Sequence, residues 1–473
     1  MKRALSKTTL FITIALIFVA GIYSCKKTTT SGSQAGGTAA AGTEKSSRAS
    51  SAAAPTQDPV KEWYKKEEKV FTLTTAGELA GLAKLVSGGN RFKGKTIVLG
   101  ADIDLSGYHA KSKFNEGKGW VPIGNKNAMF KGTFDGSGRT VRGIYINDPM
   151  LFYAGLFGRI DSAAIRNVKV ADVNITAHSR AGAVAGGMGN STIIDCMGSG
   201  QIKAGAYVGG VSGYARRKSS ISESYSSANV KGNNYIGGIA GEIDGASKAA
   251  KSHSSGSVVG EMAVGGIAGV VNKGSSVSNS FSSAKVTTGS KGGGIAGQVH
   301  QGASVRNCYS IGEVSGRTFV GGIAGQAGQE GKGEPEQAKP AAQTKQAKAK
   351  QPARPQARPA AQPAQITDTL SNNAALNPSV KASVGVAGRV QGHNNSRLTM
   401  IRNIAFGGLT NNAGNTEWAA KGDRGRDGND ITKEEIMTDP TFGGRFTTQN
   451  GWIIEDGRLP GLKETVPIPQ HLR

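Results

Sequence analysis

Gly209-Gly210-Val211-Ser212-Gly213 returns as Gly237-Gly238-Ile239-Ala240-Gly241, Gly265-Gly266-Ile267-Ala268-Gly269, Gly293-Gly294-Ile295-Ala296-Gly297 and Gly321-Gly322-Ile323-Ala324-Gly325. Each step is 28 residues, with one apolar residue held in the same slot. Looser copies precede it at Gly182-Ala183-Val184-Ala185-Gly186 and Ala154-Gly155-Leu156-Phe157-Gly158. A fixed period of this size marks a solenoid.

A second block follows at constant offset: Ser220 to Val230, repeated as Ser276 to Val286 and Ser304 to Val314. β-branched and small polar residues alternate there without a helical stripe, which reads as strand with the glycines at the corners. Three apolar columns result. The first is Val184, Val211, Ile239, Ile267, Ile295 and Ile323. The second is Ile193, Ile221, Ala249, Val277 and Val305. The third is Ile202, Val230, Val258, Val286 and Val314. The expected fold is all-β, a right-handed parallel β-helix of about 28 residues per coil, its hand following the rule for parallel crossovers. A helical solenoid is the poorer reading, because Gly and Ser are too frequent.

Both ends need closing, since an open sheet end recruits other chains. Thr75 with Glu78 forms a capping box before Leu79, Leu82, Leu85 and Val86, predicting a helix over 76–87 within a small α+β cap. Strand-like runs follow at Thr96–Leu99, Trp120–Ile123, Met129–Phe134 and Thr140–Ile146. At the other end Thr432 with Glu435 starts a short helix, and Gly451-Trp452-Ile453-Ile454 supplies a last strand of a short C-terminal cap.

The flanking segments read by composition. Lys2, Arg3 and Lys7 precede an apolar run from Leu10 to Ala20, and Ile22-Tyr23-Ser24-Cys25 resembles a bacterial lipobox with Cys25 as the lipidated residue. The alternatives are an uncleaved anchor or an ordinary signal peptide, and all three imply export. Residues 26–59 read as a Ser/Thr/Ala/Gly tether. Residues 60–150 hold the cap and first coils, 151–325 the regular repeats, and 366–473 the last coils. Between them, 326–365 is an Ala/Pro/Gln/Lys insert expected to be disordered and to replace one corner loop. The net charge of +24 favours anionic partners such as acidic polysaccharide or lipid headgroups. Nucleic acid is not expected in an exported chain without a nucleic-acid motif.

The glycine blocks and the Ser304-Val305-Arg306-Asn307-Cys308-Tyr309 strand resemble the GLUG motif repeats of bacterial surface proteins. Gly155-Leu156-Phe157-Gly158 is nearest to the name. Trp120-Val121-Pro122-Ile123-Gly124, Gly132-Thr133-Phe134-Asp135-Gly136 and Trp452-Ile453-Ile454-Glu455-Asp456-Gly457-Arg458-Leu459-Pro460-Gly461-Leu462 look like the flanks of such proteins. The resemblance covers about residues 70 to 465 and implies a cell-surface protein, often adhesin-like.

Catalytic patterns are sparse. Zinc peptidases that cleave immunoglobulin A carry similar repeats, but His109, His178, His253, His300, His393 and His471 include no H-E-x-x-H pair. No metal or other cofactor is expected. Glu223, Glu242, Asp244, Glu261 and Glu313 fall in different slots, against the paired carboxylates of a polysaccharide lyase or hydrolase. The densest acidic run, Asp423, Asp427, Asp430, Glu434 and Glu435, reads as a solvated loop and helix start. Cys196 and Cys308 share one slot four periods apart, so stacking at about 4.8 Å per rung separates them by roughly 19 Å and leaves both thiols free.

One column has a binding reading. Met197, Tyr225, His253, Phe281 and Tyr309 occupy one slot, and strand alternation turns Tyr225 outward if Ser224, Ser226, Ala228 and Val230 face in. An outward column of Tyr225, His253, Phe281 and Tyr309 stacks sugar rings, or it stiffens the sheet beneath a loop. The functional expectation is a lipid-anchored, non-catalytic envelope or surface protein, structural or adhesive, with glycans, host matrix or anionic polymers as partners. Its alternatives are a carbohydrate-active β-helix enzyme and a periplasm-facing scaffold.

Overall fold

The structure is a computed structural model that describes residues 58–328, 367–394 and 397–473. The lipobox with Cys25, the tether to residue 57 and insert residues 329–366 lie outside the described residues.

The body is a parallel β-solenoid built from three sheets. The first has eleven strands in strict coil order, from Val70–Leu73 to Leu398–Ile401. The third has eight, from Phe157–Asp161 to Gln391–Asn394. The second lies between them along the chain and ends at Asn429–Ile431. The predicted register is present: Ile193 pairs with Ile221, Ile221 with Ala249, Ala249 with Val277 and Val277 with Val305. That column continues beyond the regular repeats, through Phe71, Ile97, Phe134 and Ile165 before it and Leu370 and Met400 after it. All of these side chains are buried.

The glycine blocks do lie where the chain passes from the second sheet to the third, yet Gly238, Gly266 and Gly294 do not have positive φ. Close approach requires them. A Cβ on Gly266 would stand 2.1 Å from the Gly294 carbonyl oxygen and 2.3 Å from Ser282 Oγ. The left-handed corners are held by other residues, at Asp195, Glu223, Lys251, Asn279, Asn307, Asn372 and Arg402, each with φ between 48° and 55°.

Hydroxyl ladders run through the narrow core. Ser191 N–H donates to Ser219 Oγ, Ser219 to Ser247 and Ser247 to Ser275, each a period apart. Cys196 N–H donates to Ser224 Oγ, and the chain continues through Ser252 to Ser280. Cys308 occupies the next slot and donates its N–H to Asn373 Oδ1. The two cysteines are therefore members of a polar ladder. Their thiols donate two residues back, to Ile194 and Arg306 carbonyls, as Ser224 and Ser280 do to Ser222 and Ser278. Both are free, and burial pushes each thiol up to about 12.

The N-terminal cap contains α1, Ala76–Ser87, with the Thr75–Glu78 capping box. Its buried Leu79, Leu82 and Val86 join a core that includes Phe71, Phe92, Phe130 and Phe157. Strand Thr96–Leu99 is as expected. Trp120–Ile123 is no strand; Ile123 makes a lone bridge to Phe157. Thr140–Ile146 divides into Thr140–Arg142 and Tyr145–Asp148 around Gly143, whose φ is 73°. The insert begins later than its composition implies. Gln326 and Ala327 belong to a strand, Ala324–Ala327, in register with Gln298 and Val299.

The C-terminal segment differs most from expectation. Helix α2, Lys433–Thr438, has its Thr432–Glu435 capping box. Beyond it the chain does not add a terminal coil. It turns back along the flank of the second sheet as a strap. Arg445 Nε donates to the Arg402 carbonyl at 2.8 Å, and Lys463 pairs with Asp195 many coils earlier. Ile453 forms a lone antiparallel bridge with Gly461. The acidic run is likewise no solvated loop throughout: Asp427 is fully buried and Asp430 pairs with Arg389.

Candidate functional site

The aromatic column stands on the outer face of the second sheet. Ser224, Ser226, Ala228 and Val230 are buried beneath it, as alternation requires. Register links Met197, Tyr225, His253, Phe281 and Tyr309 directly. Ring centroids are 4.2 Å apart for Tyr225–His253, 4.7 Å for His253–Phe281 and 4.9 Å for Phe281–Tyr309. The last two pairs are parallel within 5°.

This geometry divides the predicted column. A stacked ring has its faces covered by its neighbours, so it offers only an edge. Tyr309 is wholly buried, with Phe446 and Trp452 packed against it and its hydroxyl donating to the Pro460 carbonyl. Phe281 is 5% exposed and also meets Trp452. These two rings anchor the strap. Tyr225 and His253 remain half-buried; His253 lies between two rings, and Tyr225 lies between His253 and Met197, its in-register neighbour one coil earlier.

A cleft of about 500 Å³ opens there. One wall is Met197, Tyr225, His253 and Phe281; the other is strap residues Leu462 to Pro467. Its rim carries Asn167, Lys169, Asp195, Lys463 and Glu464. Tyr225 Oη lies 3.0 Å from Ser255 Oγ. A smaller recess of about 250 Å³ adjoins it at Glu223, Lys251 and Gly451. The strap wall was invisible to the column argument. Its signal in the sequence was the aromatic pair Phe446 and Trp452, which no coil slot needed.

Burial, aided by the Lys463 ammonium, pushes His253 down to about 4. The unfolded chain takes up this proton near the ordinary 6.5 and the folded chain does not. The contribution to stability is therefore whole above pH 6.5 and is lost as pH falls toward 4. The loss amounts to about 3 kcal/mol. His253→Phe continues the stack without a titrating group. Chemical denaturation at pH 7 and pH 4 should show the wild type losing this increment more than the variant; equal losses would refute the assignment.

Among the described residues no group of three His, Cys, Asp or Glu side chains could hold a metal ion. The scattered carboxylates are spent on cations: Glu242 on Arg216 and Asp244 on Lys273.

No protein-family model matches the chain. It is 31% identical over 153 residues to Halomucin of Haloquadratum walsbyi, covering 31% of this chain and 2% of that one. It is 30% identical over 126 residues to a protein of Evansella cellulosilytica provisionally named a Gly-rich membrane protein, covering 26% and 14%. The chain thus spans a small part of either relative. A crystal structure from Bacteroides ovatus, provisionally named an immunoglobulin A1 protease, covers 83% of this chain and 92% of its own at 17% identity and TM-score 0.39. A likeness that loose carries no argument about activity.

Proposed function

We propose that the protein is a lipid-anchored, non-catalytic element of the cell envelope, of the GLUG-repeat type, whose solenoid displays a saccharide-binding cleft. The supporting observation is the half-buried Tyr225 ring lining a cleft with a polar rim. A sugar ring needs an aromatic face for its C–H groups and fixed donors and acceptors for its hydroxyls. Asn167, Lys169 and Asp195 line the same cleft. An envelope location accords with the Cys25 lipobox and with the membrane protein among the relatives. Carboxylates dispersed over the coils and paired with cations favour adhesion over hydrolysis.

The detergent-solubilised full chain, applied to a glycan array and then titrated with the best ligand, tests this. Tyr225→Ala should weaken binding about tenfold, the loss of one stacked ring. Tyr225→Phe should retain most of it. Binding that is absent, or indifferent to Tyr225→Ala, would remove the cleft from consideration. Incorporation of a fatty-acid analogue, abolished by Cys25→Ser, tests the anchor separately.

A further inference from the structure

A second cluster lies at another corner of the solenoid, where the second sheet bends toward the third. Arg180, Tyr207 and Tyr235 occupy one left-handed slot on successive coils, with φ of 58°, 56° and 61°. That conformation throws their side chains outward. Arg180 lies over Tyr153 at 5.3 Å, Tyr207 at 5.5 Å and Phe152 at 5.7 Å. Arg216 lies over Tyr214 at 4.5 Å and Tyr207 at 5.2 Å. Arg159 lies over Tyr153 at 5.7 Å. The three guanidinium groups are fixed by rings, which cuts the entropy lost when they bind a ligand.

Their charge is not balanced. Glu242 pairs with Arg216. Among the described residues Arg159 and Arg180 form no ion pair; Arg180 donates only to Ser179 Oγ, at 3.0 Å. Two planar, unneutralised forks therefore stand beside half-buried tyrosines and the exposed ring of Phe152. Tyr207 is covered by Arg180 and Arg216 and meets Tyr235 at 5.0 Å with a tilt of 41°, whereas Tyr235 has only Tyr207 against it among the ring contacts of the described residues. Successive rungs rise by about 4.8 Å, close to the length of a pyranose unit.

We propose that this corner binds an acidic polysaccharide, with Arg159 and Arg180 receiving its carboxylate or sulfate groups and Tyr235 a ring face. A guanidinium fork matches either oxyanion in bidentate fashion. The site is separate from the Tyr225 cleft and does not depend on it.

The test uses the full chain in detergent at 0.15 M salt. The probes are polygalacturonate (carboxylated), heparin (sulfated), dextran (neutral) and duplex DNA. Wild type should bind polygalacturonate or heparin and not dextran, and the two acidic probes separate the oxyanions. Arg159→Gln with Arg180→Gln should weaken that binding at least about tenfold. Lys203→Gln with Lys231→Gln removes the same charge from the second sheet and should change it less than about twofold. Arg159→Lys with Arg180→Lys should not restore binding, which separates the fork from charge alone. Tyr225→Ala should leave it unchanged. Circular dichroism melting keeps folding defects apart. Equal losses in the arginine and lysine pairs, rescue by lysine, no acidic-polysaccharide binding, or DNA binding of equal strength would each overturn the proposal.

Discussion

Gly266→Ala lowers the stability of the central coils by roughly 3 to 4 kcal/mol. The added methyl would sit 2.1 Å from the Gly294 carbonyl and 2.3 Å from Ser282 Oγ. The first of these is backbone on the next coil, which cannot rotate away. Gly266 N–H donates to the Gly293 carbonyl, so relief by separation would open the ladder it belongs to. Moving the chain the other way is opposed by Ser254 Oγ, which donates to the Gly266 carbonyl. In a solenoid each coil is stabilised only by its neighbours, so damage spreads to both. Amide exchange should accelerate in strands Ala240–Ile243, Ala268–Val271 and Ala296–Val299, with the N-terminal cap unaffected. Gly407→Ala is the control: its φ is not positive and its Cβ would meet nothing nearer than 3.7 Å. It should be neutral, or stabilising by about 0.5 kcal/mol. A loss below about 1 kcal/mol at Gly266 would show that the block tolerates side chains and that the periodic glycines have another cause.

That steric rule explains why the fold was legible. Contacts between coils are contacts between identical slots, so periodicity in sequence is contact in space. The apolar columns, the capping boxes at Thr75 and Thr432 and the outward turn of Tyr225 all followed from spacing and alternation. The same logic held unread information. Ser219, Ser247 and Ser275 recur at the period and form a ladder. Cys196 and Cys308 share their slot with Ser224, Ser252 and Ser280, which a one-residue search for thiol chemistry does not see. Tyr207 and Tyr235 repeat too, but their left-handed backbone carries no residue signature, since Ala263, Lys291 and Phe319 share it. The strap was beyond reach for a different reason. Phe446, Trp452 and Pro460 meet the solenoid from outside its repeat, and no spacing within the segment records which coil they touch. For that reason spacing alone left open whether the column stacks sugars or lies beneath a loop, and the strap covers it at Phe281 and Tyr309.

The far end of the solenoid depends on a break in the pattern. Gly388-Arg389-Val390-Gln391-Gly392 aligns with Gly321-Gly322-Ile323-Ala324-Gly325, Gly388 pairing with Gly321 and Gln391 with Ala324. Arg389 thus fills a slot that holds glycine in the five regular blocks and Ala183 in a looser one. It fits because no regular coil follows to press on it. Its side chain is fully buried. Nε donates to the Asp427 carbonyl and Nη2 to the Gly428 carbonyl, both at 3.0 Å, and Nη1 pairs with Asp430. Its own N–H donates to Asp427 Oδ1, while Asp427 Oδ2 accepts from Ala420 N–H. One side chain therefore closes the core with donors that an apolar residue lacks. Arg389→Ala should cost about 3 to 5 kcal/mol, because it strands two buried carbonyls and opens a void. Arg389→Lys should recover little, since an ammonium cannot span three acceptors in one plane. Asp430→Asn should cost about 1 kcal/mol, as Asp430 is half-exposed and also serves Lys421. The loss should be local. Strands Leu398–Ile401, Ile404–Phe406 and Asn429–Ile431 should lose exchange protection first, with the regular coils intact at lower denaturant. Unfolding that instead begins at the central coils, or an Arg389→Ala chain as protected as wild type at its C-terminal strands, would show that the strap and not this arginine seals the end.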